Sequence, residues 1–137
     1  MRDVSATRQT LRLPDGRRLD VLEAGDRSGV PVLYFHGTPS SARETQWLDS
    51  AAREHGVRVI GFDRGGYLSS EPNRDRSLLG GAHDACAIAD ALGIDRFGAL
   101  GFSGGAGYAL AAFAGEGHFV IHSHGDEIAA SIRRHAD

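Results

Sequence analysis

The stretch from Phe97 to Gly107, FGALGFSGGAG, leaves the backbone very little choice. An apolar run breaks at Ser103 and passes at once into small residues, so strand, sharp turn and helix must follow one another without a loop. Its centre reads G-x-S-x-G. A serine at such a turn sits in a strained backbone conformation, and glycines two before and two after it let strand and helix pack closely. The turn holds the serine Oγ clear of the sheet. It also sets the Gly104 amide near the first turn of a helix, whose N-terminus carries partial positive charge. Ser103 therefore reads as a nucleophile with one oxyanion donor, Gly104, beside it.

The 137 residues, 41% of them hydrophobic with a formal net charge of -3, predict a single domain over 1–137 with one core. The charges are mixed along the chain and no basic run is long enough to track phosphates, so nucleic acid is not an expected partner. All cations are arginine. The absence of lysine excludes a lysine-dependent phosphate loop or a Schiff base. Cys86 is the only cysteine, which rules out an internal disulfide; its alanine-rich surroundings predict a buried, inert thiol, and a reducing, cytoplasmic setting fits. No apolar run approaches the ~20 residues needed to span a bilayer, and the N-terminal residues lack a signal-peptide core.

Alternation about Pro14-Asp15-Gly16 predicts a β-hairpin within Gln9–Glu23. Val30–Phe35 and Val57–Phe62 are short and wholly apolar, as strands buried on both faces are. Helices are expected over about Ala42–Glu54, with Trp47, Leu48 and Ala51 at helical spacing, and over Ser77–Leu92. Phe97–Phe102 is the third buried strand. Strands alternating with helices imply a mainly parallel sheet with helices on both faces.

Four motifs in order then resemble the α/β-hydrolase superfamily of serine esterases and related enzymes: His36-Gly37-Thr38-Pro39, Asp63-Arg64-Gly65-Gly66-Tyr67, Gly101-Phe102-Ser103-Gly104-Gly105, and Gly115-Glu116-Gly117-His118-Phe119 followed by Asp126-Glu127-Ile128. The resemblance covers nearly the whole chain. It implies a reduced α/β-hydrolase fold without a cap, three parallel strands and an antiparallel hairpin, with no cofactor required. It implies that Thr38 N–H is the second oxyanion donor and His118 the base. A serine at the elbow argues against the epoxide-hydrolase and dehalogenase branches, which carry aspartate there. The implied activity is hydrolysis of small carboxylic esters; the rival is a silent fragment or interaction module.

One departure matters. In the full-length family a long segment separates the serine helix from the histidine loop, whereas here only fifteen positions separate Ser103 from His118. A helix over Gly104–Ala114 climbs ~16 Å from the serine. Four extended residues return ~13 Å at best. The third parallel strand is also left as an open edge, so a homodimer that covers it, with the His118 segment exchanged, is expected. The acid of the triad stays open among Asp63, Asp126, Glu127 and a water-backed dyad, Glu116 being too close in sequence. His36 competes with His118 as base, and the resemblance gives it a structural role. His118, His122 and His124 with Asp126 could at most make a weak metal site, and none is expected.

Overall fold

The computed structural model describes residues 7–116 and 118–119, with side chains up to residue 112. Strand β1 (Thr7–Arg12) turns back into β2 (Arg18–Gly25) as an antiparallel hairpin, Thr7 facing Glu23 and Arg12 facing Arg18. The turn closes with Gly16 N–H donating to Leu13 O at 2.9 Å. Strand β3 (Val30–Phe35) leads into a 3₁₀ segment over Ala42–Leu48, continued by the short helix α1 (Asp49–Glu54). Next come β4 (Val57–Phe62), α2 (Leu78–Ala91), β5 (Gly98–Gly101), α3 (Ala106–Glu116) and β6 (His118–Phe119). All strands join one sheet in the order β1-β2-β4-β3-β5-β6. β2 runs antiparallel to β4, and β4, β3, β5 and β6 are mutually parallel.

The apolar runs of β3 and β4 have a simple cause, since alternate side chains enter two cores. Leu33, Phe35, Ile60 and Phe62 pack with Ala82, Ala85, Ile88, Ala109 and Ala112 of α2 and α3. Val32, Tyr34, Val57 and Val59 pack with Ala51 and Ala52 of α1, joined by Leu100. Each such large side chain is essentially inaccessible, and its burial contributes about 1.5 to 3 kcal/mol.

Three sequence expectations are revised here. The helix expected over Ala42–Glu54 is split, and within its 3₁₀ half Trp47 lies 68% exposed instead of in the core. Tighter winding eclipses positions three apart, so the 3.6-residue stripe that carries Trp47 inward is lost. Cys86 is exposed as well, because α2 buries Ala82, Ala85, Ile88 and Ala89, and Cys86 falls on the opposite face. Thirdly, β5 is not the open edge of the sheet. Residues expected as a loop form β6, pairing His118 with Gly98 and Phe119 with Ala99 within the same chain.

Candidate active site

β5 ends at Gly101, Phe102 is still extended, and Ser103 adopts φ of +51°, in the left-handed region that a side chain disfavours by about 1 to 2 kcal/mol. The strain persists because the surroundings dictate it. Phe102 N–H donates to Phe35 O at 3.1 Å, tying the strand end to β3, and Gly105 N–H donates to Phe102 O at 2.8 Å, closing the turn. A methyl on Gly101 would lie 2.7 Å from the Ala106 backbone, so strand and helix meet where only hydrogen fits. Ser103 and Gly104 are both exposed at the crest of the turn.

Across from them lies the loop after β3. A Cβ on Gly104 would stand 2.7 Å from Thr38 Oγ1 and 3.4 Å from Thr38 N, so the two backbone segments that carry the expected donors face one another. The loop is held from beneath. Glu44, buried on the 3₁₀ segment, accepts from Gly37 N–H at 3.0 and 3.1 Å and from Tyr34 O–H at 2.8 Å. Burial, then the Glu44 carboxylate, pushes the Tyr34 phenol well above its usual range, so it stays a donor.

His36 is wholly buried and both ring nitrogens are occupied. Nε2 accepts from Arg64 N–H at 3.1 Å, which leaves Nδ1 as the donor to Gly37 O at 2.7 Å. Burial, with a smaller contribution from the Arg64 charge, holds its pKa below the ordinary imidazole value. It is a neutral strut under the loop and has no proton-accepting nitrogen left for the serine. A pH dependence follows. The unfolded chain takes up this proton first as pH falls, so the stability from neutral His36 is complete above about 6.5 and is lost as pH drops from there toward the lower folded value. Urea midpoints are expected to be level from pH 8 to 7 and to fall from 6.5 to 5.5, less so in His36→Gln. A midpoint that rises over that lower interval contradicts this account.

Arg64, also buried, reaches the same loop, one guanidinium nitrogen bonding His36 O and the other Thr38 Oγ1 at 2.7 Å. The guanidinium carbon lies 4.6 Å from the Tyr108 ring and 5.2 Å from the Tyr67 ring. These groups border a cleft of about 300 Å³ that continues past Asn73, Arg76 and Ser77. Phe102, next to the serine in the chain, meets Trp47 edge-to-face at 5.9 Å, both exposed.

Of the residues expected in the site, the structure gathers Ser103, Gly104 and Thr38 and leaves two apart. Asp63 ends β4, separated from β5 by β3 and so about 10 Å away across the sheet. Its Oδ1 accepts from Ala42 N–H at 2.7 Å at the start of the 3₁₀ segment, and its buried Oδ2, 3.6 Å from Arg8, accepts no hydrogen bond among the described residues. His118 pairs with Gly98, five residues before Ser103, which puts its backbone about 16 Å from the serine along the strand direction. Within one chain this register does not bring the two together. Asp126, Glu127, His122 and His124 lie outside the described residues, and so do the side chains of Glu116 and His118. Among the described residues no cluster of three or more His, Cys, Asp or Glu could hold a metal ion. Sequence reasoning passed over Glu44 and Arg64. The Arg64 position was already inside a quoted motif, but nothing local shows what its side chain touches.

A parallel sheet flanked by helices, with a left-handed serine at a strand-to-helix turn opposite a glycine-threonine loop, defines a hydrolase-type scaffold. Residues 30–120 match the α/β-hydrolase fold family, and the chain belongs to it. It is 32% identical over 99 residues to a non-heme chloroperoxidase of Streptomyces lividans, covering 72% of this chain and 36% of that protein. An esterase from Exiguobacterium antarcticum superposes with a TM-score of 0.70 at 26% identity, over 84% of this chain and 44% of its own. An epoxide hydrolase from Vigna radiata shares the fold, with a TM-score of 0.73 at 23% identity, over 88% of this chain and 40% of its own. The chain thus spans little more than a third of the curated relative's length. No described helix is long and apolar enough to cross a membrane.

Proposed function

We propose that this chain is a serine hydrolase acting on small carboxylic esters, with Ser103 as nucleophile and the Thr38 and Gly104 amides as oxyanion donors. The observation that carries it is the left-handed Ser103, exposed and set opposite Thr38 by a Gly104 that leaves no room for a side chain. In that reaction Oγ bonds to the carbonyl carbon as its proton passes to a base, and the alcohol departs with a proton. Water then attacks the acyl-serine, releasing the acid and restoring the hydroxyl. Serine at the elbow supports ester chemistry over the epoxide opening of the fold neighbours. An open crest, with no cap among the described residues, favours short, activated acyl groups.

The base in this proposal is His118 from a second copy of the chain, since the β6 register keeps a chain's own His118 from its own Ser103. The same register favours a second reading, in which the serine is activated by its turn but the chain alone lacks a complete relay. A chromogenic short-chain ester and a fluorophosphonate, with the labelled peptide mapped by mass spectrometry, separate the two. Turnover together with a label on Ser103 supports the hydrolase, and mixing Ser103→Ala with His118→Ala chains restores activity if the base crosses between copies. A label without turnover favours the second reading. Neither label nor turnover overturns both.

A further inference from the structure

Arg64 is a cation in an unusual position. Its residue is only 5% exposed, and both hydrogen bonds of its guanidinium go to neutral oxygens, those of His36 and Thr38. Among the described residues it forms no ion pair, although most buried acids do. The nearby carboxylates are engaged elsewhere. Asp63 accepts from Ala42 N–H and lies 3.6 Å from Arg8, its buried Oδ2 accepting no hydrogen bond from Arg64, Glu44 serves Gly37 and Tyr34, and Asp84, across the cleft, lies 2.5 Å from Arg17. Tyrosine faces on two sides stabilise the guanidinium without neutralising it. A desolvated charge left without a counter-charge is costly unless something anionic arrives.

We propose that Arg64 is a positioning residue of the oxyanion site, whose guanidinium locks Thr38 through Oγ1 and whose unmatched charge is balanced by the oxyanion of the tetrahedral intermediate. This rests on the reading of Ser103 as nucleophile. The physical logic is differential. The ester carbonyl of the ground state is neutral and the intermediate is anionic, so a fixed cation one hydroxyl away from the Thr38 amide favours the second over the first. Arginine suits the task because its planar fork spans two oxygens and stacks on rings at the same time, which an ammonium does not.

The test is the saturation kinetics of Ser103 phosphonylation by a fluorophosphonate, in which Oγ displaces fluoride and the P=O oxygen takes the oxyanion position. Arg64→Gln is expected to slow the limiting rate about 10- to 100-fold with the apparent affinity for the probe changed less than about threefold, and Arg64→Lys to recover part of the loss. Thr38→Val, which keeps the amide and removes Oγ1, is expected to behave like Arg64→Gln, and the double variant to be no slower than the slower single. Thermal melting accompanies every variant. A wild-type limiting rate in Arg64→Gln overturns the proposal while leaving Ser103 as nucleophile, and so does a loss confined to probe affinity. If Arg64→Gln does not fold, Thr38→Val decides, a wild-type rate there overturning it. A wild-type chain that takes no label on Ser103 removes the nucleophile and this role together.

Discussion

Replacing Ser103 with alanine is expected to eliminate phosphonate labelling and to cut ester turnover by about a thousandfold or more, while the protein still melts cooperatively. Alanine tolerates φ of +51° no better than serine, so backbone strain is retained and only the hydroxyl is removed. Ser103→Gly separates strain from chemistry. It too lacks a nucleophile, yet glycine adopts the left-handed region freely. After allowing for its greater entropy in the unfolded chain, it is expected to be more stable than wild type by about 0.5 to 1 kcal/mol. Urea denaturation and the ester assay measure the two quantities on the same samples. Residual labelling in Ser103→Ala, mapped to another residue, shows that the reactive group was misassigned.

The second large effect is on stability. A Cβ on Gly105 would overlap the Phe35 carbonyl oxygen and lie 2.6 Å from Phe35 C and 2.7 Å from His36 O. Every one of these atoms is backbone, so no side-chain rotation relieves the clash and α3 must move away from the end of β3. Gly105→Ala is expected to cost about 3 kcal/mol or more, and to lower labelling of Ser103 because the same movement separates Gly104 from Thr38. Gly56→Ala is the control. Gly56 has φ of +67° but nothing within 4 Å of the added methyl, so only the conformational cost of about 1 kcal/mol applies there. Equal losses in the two variants contradict the close packing of strand and helix.

Both effects arise at the elbow, the part of the molecule most open to sequence reading. Its constraints are local. A strand that must turn into a helix within three residues dictates glycines at fixed offsets and a strained residue between them, and Ser103 has the φ that this requires. Thr38 was placed opposite by resemblance, and Glu44 by nothing, since its contacts with Gly37 N–H and Tyr34 O–H span seven and ten positions through a 3₁₀ segment that was expected to be α-helical. Asp63 shows the converse. Its position at the end of a buried strand was legible, but which group its carboxylate met depended on Ala42 and Arg8 arriving from elsewhere.

What the sequence determined by itself was periodicity and punctuation: two-faced apolar strands, a hairpin around Pro14-Asp15-Gly16, a helix over Ser77–Leu92 and the serine turn. Each is set by residues within a few positions of one another, where chain connectivity already restricts the geometry. The tertiary structure decided the order β2-β4-β3-β5-β6, the pairing of His118 with Gly98, and the seating of Arg64 between Tyr67 and Tyr108. These contacts join segments whose separation in space is set by how the whole sheet closes, and no local rule of backbone geometry encodes that.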